Sequence, residues 1–130
     1  MKYVYDELSK IENLRGKLKI NEAQDAICID FHEYLHLDIF HDYILLNKGL
    51  THWHGDDEDI IQDVMDIVKG NIVYIESRGF FTRQRKYGRI CDCGFHILDK
   101  EKFDKKKEKY LTKKHLRIYT GKEIIKHSIK

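Results

Sequence analysis

Proline is absent from the 130 residues, as are internal repeats and low-complexity tracts, so no linker is visible. No apolar run approaches the ~18 residues of a membrane span. The first ten residues, MKYVYDELSK, carry charge and lack the apolar core of a secretory signal. Cysteine is scarce: Cys28, Cys91 and Cys93. Three is an odd number, which fits a reducing cytoplasm better than a disulfide framework. A Gly-rich phosphate loop, a nucleophile elbow and an ordered acid pair are missing too, so no catalytic residue is named. Residues 1–130 are therefore expected to form one globular cytoplasmic domain, large enough for a core without staples.

What is present is charge, unevenly placed. The net charge is +2, but residues 1–77 hold 7 Lys/Arg against 16 Asp/Glu and residues 78–130 hold 17 against 6. A surplus basic face favours an acidic partner, protein or nucleic acid, whereas a solvated lysine-rich surface is the plainer explanation of the C-terminal tail. The Lys- and Ile-rich composition points to an AT-rich bacterium or its phage.

Periodicity places the elements. Residues 3–15 read as a helix stopped by Gly16. From Ala26 to Phe40 the period is two, with Ile27, Ile29, Phe31, Leu35, Leu37 and Ile39 on one parity and Asp30, His32, His36 and Asp38 on the other. That is one long half-buried strand, or two meeting near Glu33, whose His/Asp side is a solvated face. Tyr43–His54 reads as a hairpin around a three-residue Asn47-Lys48-Gly49 loop, which sets Tyr43 opposite Trp53 and Ile44 opposite His52. Asp56 to Lys69 is a helix with Asp56 as N-cap and Gly70 as stop. Beyond it lie a short strand at 71–76, a second hairpin around Lys86-Tyr87-Gly88 and a lysine-rich helix from Asp99 to about His115. The form of residues 116–130 is left open. The fold class expected is α+β, a mainly antiparallel sheet of five to seven strands flanked by two or three helices.

Three stretches hold chemistry. In Thr51-His52-Trp53-His54-Gly55-Asp56-Asp57, imidazoles and carboxylates are suitable ligands for zinc or manganese, and a metal there would activate bound water. Locally it resembles the His-x-His-x-Asp-His motif of the metallo-β-lactamase fold. His52, His54 and Asp56 match, and Asp57 stands where that family has its third histidine. The resemblance implies a metal-dependent hydrolase, but it covers these seven residues alone. The structural alternative is that Asp56 only caps the helix, His54 pairs with Asp42 and His52 is a core histidine. The second stretch, residues 78–89, sets Arg83, Arg85, Lys86, Tyr87 and Arg89 on a basic hairpin. With Arg85 opposite Arg89, Arg83 opposite Cys91 and Phe81 opposite Cys93, this surface suits an acidic protein, phosphates or stacked bases. Internal pairing with carboxylates is the alternative. The third, Cys91-Asp92-Cys93-Gly94-Phe95-His96, has cysteines closer than zinc knuckles use.

From the sequence, the leading function is a small binding protein acting on a protein partner, as an inhibitor, immunity or phage-encoded module does. An acidic partner or a homodimer is expected, with no membrane association. The alternatives are the metal-dependent hydrolase and a nucleic-acid binder. No cofactor is required; zinc or manganese belongs to the hydrolase reading.

Overall fold

Five antiparallel strands follow one another as a meander in the computed structural model: β1 (Leu18–Asn21), β2 (Ala26–His32), β3 (Leu35–Ile39), β4 (Tyr43–Leu46) and β5 (Thr51–His54). The structure describes residues 1–49, 51–78, 84–86, 89–91, 93–112 and 115–127. The chain falls into two compact units, Met1–Val68 and Lys69–Lys130, and the meander belongs to the first. Its period-two pattern holds: Ile27, Ile29, Phe31, Leu35, Leu37, Ile39, Ile44 and Leu46 are all buried on one face. A one-residue slip would move a whole strand's set to the opposite face, so burial of these side chains pins the register.

Two helices complete the unit. Helix α1 (Lys2–Ser9) is shorter than the expected 3–15, because Ile11 is extended (φ −80°, ψ 113°) and a 3-10 turn at Glu12–Leu14 follows. The break accompanies full burial of Leu14, alongside Val4 and Leu8. Helix α2 (Asp57–Lys69) buries Ile60, Val64, Ile67 and Val68. Asp56 caps it as expected: its Oδ1 accepts the Asp59 N–H at 2.8 Å, and Asp59 Oδ2 accepts the Asp56 N–H at 3.2 Å. An aspartate thus serves where a capping box usually has Glu or Gln. Trp53 Nε1 donates to Asp63 Oδ2 at 2.9 Å, tying β5 to α2.

The expected register of the first hairpin is corrected. Leu46 pairs with Thr51, Leu45 with His52, Ile44 with Trp53 and Tyr43 with His54, one residue later than a three-residue loop gives. Asn47, Lys48 and Gly49 all take positive φ (47°, 59° and 99°). The shift sets Trp53 across from buried Ile44, within reach of Asp63, and turns His52 and His54 outward, where both are exposed. Burying an indole whose N–H is satisfied is far cheaper than burying two imidazoles.

The second unit holds β6 (Ile72–Arg78), β7 (Gln84–Lys86), β8 (Arg89–Cys91), β9 (Cys93–Asp99), α3 (Lys100–Lys105), α4 (Lys107–Tyr110), β10 (His115–Tyr119) and β11 (Ile124–His127). Four strands form a sheet in the order β11-β10-β6-β9, and β7 pairs with β8 separately. Val73, Ile75, Phe103 and Ile118 form the core on one face. On the other, Tyr74 and Tyr119 stack at 5.8 Å and Arg117 Nη1 donates to Glu76 Oε2 at 2.8 Å. The lysine-rich helix splits at Lys106 (φ −119°, ψ 21°). Residues 116–130, open in the sequence, contribute most of β10 and all of β11, joined through Thr120, whose Oγ1 accepts the N–H groups of Lys122 and Glu123.

The class is α+β and mainly antiparallel, as expected, with strands divided among sheets of five, four and two. Among the described residues no helix is long and apolar enough to cross a membrane.

Candidate functional site

The registers of the meander place its polar parity on the face turned away from the unit's own core. Lys19 sits beside Cys28, Cys28 beside Asp38, Asp38 beside Leu45 and Leu45 beside His52. In the neighbouring row Asp30 pairs with His36. The turn at Glu33-Tyr34 pairs His32 with Leu35, and a one-residue register shift between Asp30 and His32 then produces both pairings, bringing four chemically able side chains from β2 and β3 to one spot.

His36 is the centre of this cluster. Its Nδ1 bonds Asp30 Oδ1 at 2.5 Å and its Nε2 bonds Asp38 Oδ1 at 2.9 Å. An ionised carboxylate only accepts, so the two contacts favour the imidazolium form, in which both ring nitrogens donate. Partial burial works against that charge, but hydrogen bonds and attraction from both carboxylates outweigh it and raise the ring's pKa. The Cys28 thiol also bonds Asp38; burial first, then that bond, pushes its pKa up to about 11. On the face expected to be simply solvated, half-buried Cys28, His36 and Asp38 therefore interlock with the exposed Asp30. Among the described residues, Cys28, His36 and Asp38 form a group whose ligand atoms all lie within 4.8 Å of one another.

Asn47 holds this cluster from behind. Its Oδ1 accepts the His36 N–H at 2.7 Å, its Nδ2 donates to Tyr34 O at 2.8 Å and its own N–H donates to His36 O at 2.8 Å. A rank of rings lies on the same face. Phe40 stacks on Tyr43 at 4.7 Å, Tyr43 meets His54 at 5.8 Å, and His54 meets His52 edge-on at 5.4 Å.

The other sequence-predicted residues are placed as follows. His52 and His54 are adjacent, but Asp56 is engaged in the helix cap and Asp57 opens the helix; the four do not converge as a ligand group. His54 pairs with Tyr43, not Asp42, and His52 is exposed, not a core histidine. Gly55 at this junction meets Asp59 so closely that a Cβ would come within 2.8 Å of Asp59 Cβ. In the basic hairpin Lys86 pairs with Arg89 and Arg85 with Ile90, correcting the expected opposition of Arg85 and Arg89. Cys91 pairs with Gln84 rather than Arg83, and Cys93 pairs with Arg78 rather than Phe81. Arg83, Tyr87 and Phe81 lie outside the described residues. Cys91 and Cys93 belong to separate sheets. His115 is buried, with its Nδ1 bonded to Thr112 Oγ1 at 2.9 Å.

Cys28 is the residue that sequence reasoning missed. The signal existed: it shares the parity of Asp30, and a tight turn near Glu33 sets it opposite Asp38. No protein-family model, curated protein or solved structure matches this chain.

Proposed function

We propose that this chain works as a binding module whose partner is a protein, engaged along a sheet edge. One observation carries the reading. Among the described residues, the exposed large aliphatic side chains are Ile20 (56 % exposed), Ile97 (43 %) and Ile124 (38 %). They lie on β1, β9 and β11, each an outer strand of its sheet. Natural sheets usually protect their edges with charge or distortion, because unpaired N–H and C=O groups template another strand. An edge that also shows isoleucine offers main-chain hydrogen bonds together with an apolar anchor, the pairing used in strand addition. Charge supplies direction. The first unit holds 6 Lys/Arg against 15 Asp/Glu and the second 18 against 7, so the second attracts an acidic partner or the acidic unit of another copy. The unpaired thiol of Cys28 and the odd cysteine count fit a cytoplasmic setting.

The test is paired capture from the cells that express the protein, using wild type and Ile20→Lys, Ile97→Lys and Ile124→Lys variants of unchanged thermal unfolding. A protein or second copy held by wild type and lost from at least one variant is expected. Identical recovery with all four baits contradicts an edge contact.

A nucleic-acid partner is the second reading, favoured by the backbone pairing of two basic positions, Lys86 on β7 with Arg89 on β8, in a stretch whose positive charge suits a phosphate backbone. It requires affinity that falls steeply with salt. Binding that is flat between low and high salt removes it.

A further inference from the structure

We propose that Cys28, His36 and Asp38 form a binding site for one divalent transition-metal ion of the zinc class, with Asp30 as the residue that orients the histidine. This site is separate from the His52/His54 motif and independent of the partner reading above.

The donor set comes first. A thiol, an imidazole and a carboxylate are the three side-chain types that zinc accepts, and here they lie within 4.8 Å of one another on two paired strands. Bond lengths of 2.0–2.3 Å at a tetrahedral centre need donor atoms roughly 3.3–3.8 Å apart. Closing from 4.8 Å takes a movement of about 1 Å, which side-chain rotation supplies while the strands stay in register. All three residues are half-buried, so the site is open to an ion and shielded from full hydration.

The hydrogen bonds already have the form of a metal site holding protons. Asp38 accepts from both the Cys28 thiol and His36 Nε2. A cation at that point would be met by sulfur, nitrogen and oxygen together. On loading, the Cys28 S–H and His36 Nε2–H protons leave to solvent, and metal–sulfur and metal–nitrogen bonds take their place. Asp38, already a carboxylate, gives up no proton. His36 Nδ1 keeps its hydrogen and donates it to Asp30, the arrangement by which metal-bound histidines are fixed in tautomer and orientation. Three protein ligands leave the fourth position to water.

The experiment is titration of cobalt(II), then zinc, into the metal-free full chain. One equivalent of cobalt is expected, with a thiolate-to-metal charge-transfer band that zinc abolishes by displacement. Cys28→Ser should remove the band, and His36→Ala should weaken binding at least about ten-fold. Asp30→Asn should leave the band and weaken affinity roughly ten-fold, as expected of a positioning residue. His52→Ala/His54→Ala and Cys91→Ser/Cys93→Ser should change neither. If Cys28→Ser does not fold, alkylation of the wild type replaces it: zinc should slow modification of Cys28 selectively. A band that survives Cys28→Ser, one that disappears in Cys91→Ser/Cys93→Ser, no cobalt bound at about 100 μM, or Cys28 alkylation unaffected by zinc overturns the proposal.

Discussion

The two units solve the same problem with opposite economies. In residues 1–68 every strand pairs with its neighbour in the chain, and the polar side chains gather on the face away from the core. In residues 69–130 the central strand β6 pairs with β9 and β10, and a charged pair, Glu76–Arg117, lies within the sheet, with Glu76 buried. A meander needs only a period-two pattern and working turns. A sheet assembled out of order needs long-range contacts to hold it, and here Phe103, the one side chain buried from either short helix, joins Val73, Ile75 and Ile118 in the core.

Phe103→Ala therefore gives the largest expected effect. It removes a fully buried ring from a small core and should cost about 3–5 kcal/mol, read by denaturant unfolding. A loss below about 1 kcal/mol would mean that the second unit does not depend on that ring. The matching test of the first unit is Asn47→Ala, which takes away the Asn47 bonds to His36 and Tyr34 at a positive-φ position. The expected cost is about 2 kcal/mol, with weakened amide protection at His36. An unchanged midpoint would show that the meander does not need this clamp.

Asp63→Asn is the smallest and carries a sign. Burial, with Asp59 and Asp66 nearby, raises the Asp63 pKa despite the Trp53 hydrogen bond, so the folded state holds this proton more tightly than the unfolded chain does. That contribution is fully present below the unfolded value of 3.8 and is lost as pH rises through the higher folded value. Asparagine keeps an acceptor for Trp53 and cannot ionise. The variant should be more stable at pH 7 by about 0.5 kcal/mol, discounted for partial exposure, with a flatter profile between about pH 3 and 6. A less stable variant at pH 7 would mean that the ionised carboxylate is favourable there.

The same contrast explains what was legible. Ile27 through Ile39 could be assigned to the core face because alternation is local, and Asp56 could be named a cap because its partner is three residues away. The hairpin register missed by one, since Asn47, Lys48 and Gly49 all take positive φ and pairing resumes at Thr51, one residue later than a three-residue loop gives. That single step decided which face His52 and His54 occupy. Cys28 was overlooked because a lone cysteine has no spacing to read; its partners come from the next strand. The pairing of Arg117 with Glu76 spans 41 residues and leaves no mark in either local pattern.

The central claim is that sheet edges make the partner contact. Amide hydrogen exchange of the chain, free and in the captured complex, tests it most directly. Slower exchange is expected in Leu18–Asn21, Cys93–Asp99 or Ile124–His127, with the central strands Leu35–Ile39 and His115–Tyr119 unchanged. Protection confined to the central strands, while Leu18–Asn21, Cys93–Asp99 and Ile124–His127 exchange as in the free protein, would contradict it.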